Sequence, residues 1–137
     1  MAETHPALIC DACGAPAAPL DWRCPACGGL LHLAGLPAFD PAAIRQHEWS
    51  LWRYAALLPV HRRFSLGEGM TPLVPTSIGG VPFLAKLEYL LPTGSYKDRG
   101  SAVLLNHLLE HGAEAVVEDS SGNAGASIAA YAGGIGM

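Results

Sequence analysis

Four cysteines, Cys10, Cys13, Cys24 and Cys27, stand as two C-x-x-C pairs with ten residues between the pairs. Two thiolates on one tight turn can face a single ion. Two such turns complete a tetrahedral shell of sulfur, the coordination that suits zinc. Gly14 follows the first pair and Gly28 and Gly29 the second, where a knuckle turn needs permissive backbone. Disulfides, free thiols or a redox pair are the alternatives. The first residues lack the cationic start and apolar run of a secretion signal, which disfavours disulfides. Pro25 and the glycines read as knuckles, whereas a redox pair usually follows a strand and opens a helix. A shell of four sulfurs leaves no open coordination position, so the expected role is structural. His32 lies outside the pair spacing and reads as a surface residue.

Lys86 and Lys97 are the two lysines. Lys86 falls inside an apparent strand and reads as a solvated strand residue. Lys97 falls in Ser95-Tyr96-Lys97-Asp98-Arg99-Gly100, after a glycine-containing loop and at a helix start. The positive end of the helix and Arg99 both favour the neutral, nucleophilic amine, while Asp98 opposes them. A second segment, Ser120-Ser121-Gly122-Asn123-Ala124-Gly125, joins a predicted strand to a predicted helix. Free N–H groups of a helix start converge there with two hydroxyls and an amide, an arrangement suited to a carboxylate or phosphate. The plain reading of the same residues is a βα turn with a serine cap. Gly133-Gly134-Ile135-Gly136 follows a helix without opening one, so it reads as a C-terminal cap and not a phosphate loop.

The elements that must position these groups follow from the pattern. Residues 1–35 form the cysteine module. Asp40 can cap a helix with Pro41 at its first position, and Ile44, Leu51, Trp52, Ala55 and Leu58 recur at roughly helical spacing until Pro59. Trp49 and Trp52 read as neighbouring packing residues on that helix. A turn-rich stretch follows, with a third strand allowed at residues 73–76. Residues 81–87 read as a strand and residues 96–111 as a helix with Val103, Leu104, Leu108 and Leu109 inward, Asn106 and His107 on the polar side, and Gly112 at its end. Residues 115–119 read as a short strand, 120–123 as a turn and 124–132 as a helix of small residues. Strand, helix, strand, helix is the pattern of an α/β fold with a parallel sheet. Such a sheet is buried on both faces, yet two or three strands are all that the sequence offers. The expectation is therefore an N-terminal portion of a longer enzyme.

The chain has 137 residues, half of them hydrophobic and 15% charged, with a net charge of -4. That balance excludes wholesale disorder and leaves no basic surplus for a nucleic-acid partner. No apolar run is long enough to span a bilayer. A cytoplasmic location is the default expectation.

Ser50-Leu51-Trp52-Arg53-Tyr54, Gly67-Glu68-Gly69-Met70-Thr71-Pro72-Leu73, and the Lys97 and Asn123 segments occur in order along the chain. Together they resemble the N-terminal part of threonine synthase, a fold-type II pyridoxal-phosphate (PLP) enzyme of the tryptophan-synthase-β-like superfamily. Some members also begin with a zinc-ribbon-like cysteine module. The resemblance covers essentially the whole chain. It implies a parallel three-layer αβα catalytic domain, begun at residues 36–137, behind a zinc-ribbon-like module at residues 1–35. It implies Lys97 as the covalent anchor of PLP and a proton shuttle, Asn123 as the hydrogen-bond partner of its phenolic oxygen, and Ser120, Ser121, Gly122, Asn123 and Ala124 as the cradle of the substrate carboxylate. The metal set is Cys10, Cys13, Cys24 and Cys27.

Tyr96 stands where many relatives have phenylalanine, and Ala124 where some have threonine, so a hydroxyl role at 124 is absent. The implied reaction converts the small amino acid O-phosphohomoserine and water to threonine and phosphate, in an enzyme whose relatives are commonly homodimers. The glycine-rich loop for the PLP phosphate and the partner of the pyridine nitrogen come later in that superfamily. The 137-residue chain alone is therefore expected to bind PLP weakly and not to turn over. A serine/threonine dehydratase or a cysteate-synthase-like enzyme shares the same lysine and asparagine segments. The alternative from another class is a non-catalytic zinc-binding remnant.

Overall fold

The computed structural model describes residues 6–137. Three short strands open it: β1 (Ala7–Cys10), β2 (Pro16–Ala17) and β3 (Leu31–Ala34), antiparallel in the order β2-β1-β3. Leu8 faces Ala17 on one side and Leu33 on the other. Two similar turns hang from this sheet. Gly14 N–H donates to Cys10 O, and Gly28 N–H donates to Cys24 O. Gly14 and Gly28 take φ of 72° and 73°, the left-handed conformation that each turn requires.

The predicted helix after Asp40 is instead broken into short 3₁₀ pieces, Pro41–Ala43 and Leu51–Leu57, the second kinked at Tyr54. Asp40 caps the first as expected, its Oδ1 accepting from Ala42 N–H at 2.9 Å. Ser50 then starts the second afresh: its Oγ accepts from Trp52 N–H and donates to Glu48. This local side-chain bonding competes with helix continuation and explains the break. Trp52 is buried, but Trp49 is exposed, so the two do not pack as neighbours.

β4 (Leu73–Ile78) and β5 (Val81–Lys86) form an antiparallel hairpin across Gly79 and Gly80. Both glycines have positive φ, as a two-residue primed turn demands. α1 (Lys97–Glu110) ends in left-handed Gly112, as predicted. Its inward face is rotated from the expected one: Ser101, Ala102, Leu105 and Asn106 are buried, while Leu104 is exposed. Spacing puts Asn106 on the polar side. It is buried because its amide closes a loop, accepting from Arg63 and Phe64 N–H and donating to Phe64 and Ala102 O. α2 (Asn123–Gly134) packs against α1.

No parallel sheet is present among the described residues; both sheets are antiparallel. Residues 115–119 form no strand and pair with none, and Val117 is 95% exposed. A strand exists only where its N–H and C=O groups meet a neighbour's, and here none is adjacent. The core holds Trp52, Val60, Ala102, Leu105, Ile128, Tyr131 and Ala132. Phe64 meets Tyr131 edge to face at 6.1 Å. It also lies so close to Gly134 that a Cβ there would stand 2.2 Å from its Cζ. No helix among the described residues is long and apolar enough to cross a membrane.

Candidate functional site

Lys97 opens α1 and Asn123 opens α2. The two helices run the same way. The first turn of α1 is joined to the second turn of α2 by Ser127 Oγ donating to Asp98 Oδ1 at 2.6 Å. Further along, both meet Phe64, through Asn106 in the third turn of α1 and Gly134 at the end of α2. Both N-termini, with their partial positive charge, therefore open at one end of the pair; in α1 the first N–H groups are spent on Ser95 and Tyr96, and in α2 they have no such partner.

Asp98 is the joint. It has no exposure, and it accepts from Thr93 N–H at 2.7 Å, Thr93 Oγ1 and Ser127 Oγ, while Ser127 also meets Ser101 Oγ at 2.7 Å. Arg99, two residues past Lys97, forks onto Glu88, with Nε 2.7 Å from Oε2 and Nη2 2.9 Å from Oε1. Thr71 Oγ1 donates to the same carboxylate. The Arg99 hydrogen bonds, with Thr71 and the nearby cations, hold the Glu88 carboxyl down at about 2, against the penalty of burial. The sequence placed Arg99 and Asp98 as rival influences on the Lys97 amine. In the structure both are committed elsewhere, and Lys97 itself is exposed, its Nζ 5.4 Å from the centre of the Tyr96 ring.

The Ser120 segment is an exposed turn folded tightly onto Gly125, whose Cβ position lies 3.4 Å from Ser120 O. Ser120 Oγ accepts from Gly122 N–H at 3.2 Å, and no side chain caps α2. The first-turn N–H groups of Asn123, Ala124 and Gly125 thus remain open to an anion, beside the Ser121 hydroxyl. Lys86 donates to Thr71 O at 3.1 Å, which accounts for it structurally.

The four cysteines do come together. Sγ of Cys10 and Cys27, of Cys13 and Cys27, and of Cys13 and Cys24 are 3.5, 3.5 and 3.6 Å apart. All four sulfurs lie within 4.8 Å of one another. A tetrahedral ion with metal–sulfur bonds near 2.3 Å needs sulfurs about 3.8 Å apart, so the cluster fits a metal ion. Backbone N–H groups of Cys13 and Ala12 aimed at the Cys10 sulfur hold that thiol down at about 6, while the Cys13 and Cys27 thiols, despite backbone N–H groups that lower them, are pushed up by the neighbouring sulfurs. His32 is not a ligand; its Nδ1 pairs with Asp11 Oδ1 at 2.6 Å. The module touches α1 where His107 Nε2 meets Pro19 O at 2.8 Å, ten residues and about 15 Å along the helix from Lys97. The cluster stands apart from the lysine.

A buried carboxylate escaped the sequence reading. Glu68 has no exposure and accepts from Trp52 Nε1 at 2.7 Å, Tyr131 Oη at 2.7 Å, Leu66 N–H at 3.0 Å and Ser65 Oγ. Burial, with the Glu68 hydrogen bond added, pushes the Tyr131 phenol upward, so it remains a donor. Glu68 O also accepts from Leu51 N–H at 2.6 Å, and the chain passes so closely that a Cβ on Gly69 would stand 2.6 Å from Leu51 N. Two glycines flanking a glutamate were the only local signal.

The pyridoxal-phosphate dependent enzyme family model matches residues 64–137, and the chain belongs to that family. Among curated proteins it is similar to the threonine synthase of Methanosarcina acetivorans, 36% identical over 135 residues, covering 90% of this chain and 33% of that protein. It is also similar to the threonine synthases of a Bacillus species, 44% identical over 94 residues (64% and 27%), and of Methanocaldococcus jannaschii, 37% identical over 118 residues (77% and 29%). The chain spans about a third or less of the length of these relatives. No solved structure matches it.

Proposed function

We propose that the chain is the N-terminal part of a PLP-dependent lyase of the threonine synthase type, acting on O-phosphohomoserine and water to give threonine and phosphate. The observation that carries this reading is the Asp98–Ser127 joint, which sets Lys97 and Asn123 at one end of two parallel helices. Lys97 would hold PLP covalently, and Asn123 would donate to its phenolic oxygen. When bound, PLP supplies an electron sink that eases loss of protons from the α and β carbons.

The exposed Lys97 amine takes and returns those protons. Ser120, Ser121, Gly122, Asn123 and Ala124 hold the substrate carboxylate through hydroxyls and uncapped N–H groups. Cys10, Cys13, Cys24 and Cys27 hold a structural zinc ion in a module that ends near residue 35, and residues 36–137 begin the catalytic domain. The resemblance further supports a cytoplasmic homodimer.

Treating the protein with PLP and then borohydride, followed by peptide mapping, tests the anchor. The expected product is a phosphopyridoxyl group on Lys97, lost in Lys97→Ala. Equal labelling of Lys86 would refute the assignment. The reaction is tested by phosphate and threonine release from O-phosphohomoserine in a protein of the relatives' length. Ammonia released from serine or threonine instead would assign a dehydratase.

A further inference from the structure

We propose that Arg53 is the cation of a small-oxyanion site, one that takes the phosphate or carboxylate of a small molecule. The site lies where the Ser50–Tyr54 and Gly67–Thr71 segments meet, on side chains other than Lys97 and Asn123. Arg53 is partly buried, yet among the described residues no carboxylate pairs with it. Its Nε is buried without a hydrogen-bond partner. Its Nη1 ends on the Met70 thioether at 3.4 Å and its Nη2 on the Gln46 amide oxygen, also at 3.4 Å. Five donors of a permanent cation thus meet one weak acceptor and one long contact. A guanidinium whose Nε is shut off from water without a partner, while its Nη groups reach the surface, is stabilised by an anion at that outer edge.

The acids of the neighbourhood are engaged elsewhere. Glu48 binds Arg62 and Ser50, and Glu68 is enclosed by Trp52, Ser65, Leu66 and Tyr131. The Tyr54 ring, partly exposed, supports the guanidinium from 5.8 Å. Met70 has φ of 48°, the only non-glycine positive φ among the described residues. Such strain persists where the surroundings enforce it, and here close packing of Gly69 on Ser50 and Leu51 does so. An oxyanion would replace the thioether and the long amide contact with paired, charge-assisted bonds to the planar fork.

Calorimetric titration of the full chain with inorganic phosphate, and separately with succinate, at constant ionic strength tests this. A saturable component that depends on Arg53 is expected, apart from any binding at the uncapped start of α2. Arg53→Met should weaken it by about tenfold or more, and Arg53→Lys by a smaller factor, since lysine keeps the charge and loses the fork. Thermal melts report folding of both variants, and Arg53→Lys keeps the test open if Arg53→Met does not fold. Tighter binding of phosphate assigns a phosphoryl ligand, and tighter binding of succinate a carboxylate. The proposal is overturned if neither anion saturates, if Arg53→Met binds within twofold of the parent, or if Lys97→Ala abolishes binding while Arg53→Met keeps it.

Discussion

Replacing Glu68 by glutamine changes one oxygen to an amide group and little else in shape. Every neighbour of this side chain is a donor: Trp52 Nε1, Leu66 N–H, Tyr131 Oη and Ser65 Oγ. The least costly orientation puts the new NH₂ where Oε1 now stands. There it faces the Trp52 indole N–H, while Ser65 can rotate to accept. One buried donor pair is left unsatisfied, at about 1–3 kcal/mol, and the bonds that remain fall from charge-assisted to neutral, adding about 1–2 kcal/mol.

A loss of about 2–5 kcal/mol is large against the roughly 5–15 kcal/mol that holds a typical domain. Urea unfolding followed by tryptophan fluorescence should show the midpoint falling by about 1–3 M. Tyr131→Phe removes one donor and leaves three, so it should cost about 1–2 kcal/mol. If Glu68→Gln stays within about 0.5 kcal/mol of the parent, the carboxylate is not the organising group and the reasoning fails.

Two further outcomes follow. Because the Glu88 carboxyl is held at about 2 in the fold against 4.5 unperturbed, its ion pair with Arg99 stabilises fully above about pH 5, and that contribution disappears as pH falls toward 2. The partly solvated pair should account for roughly 1–2 kcal/mol of acid sensitivity, which Glu88→Gln removes from a pH series of unfolding midpoints. Unchanged pH dependence in that variant would contradict the assignment. Elemental analysis should find one zinc per chain. Chelation, or Cys24→Ser, should abolish hydrogen-exchange protection in β1 and β3 while α1 and α2 keep theirs, and retention of protection without metal would count against the site.

What the sequence made legible was local. The cysteine knuckles needed only residues within a few positions of each other and glycines free to take positive φ. Asp40 and Gly112 announced a start and an end for the same reason. The reading failed where distant partners decide. Apolar spacing suggested one helix through residues 41–58, but the Ser50 hydroxyl, bonded to Glu48 and Trp52, restarts the chain. Val116 and Val117 have strand propensity without a neighbouring strand. Lys97 and Asn123 were identified as site candidates, but the Asp98–Ser127 bond that aligns their helices spans 29 residues, and Glu68 reaches Tyr131 across 63.

The β4–β5 hairpin is guarded along its edges and open on its faces. Pro75 faces Leu84, and Pro82 faces Ser77. Proline cannot donate to a ladder, so these are the pairs without cross-strand hydrogen bonds, and each missing N–H lies on an outer edge. Strand-by-strand growth onto either edge is interrupted at that point. Ile78, Val81 and Leu84 nonetheless present apolar surface to solvent. Crowded copies of this chain would therefore adhere face to face, as amorphous and salt-sensitive associations, more readily than they would stack into cross-β fibres.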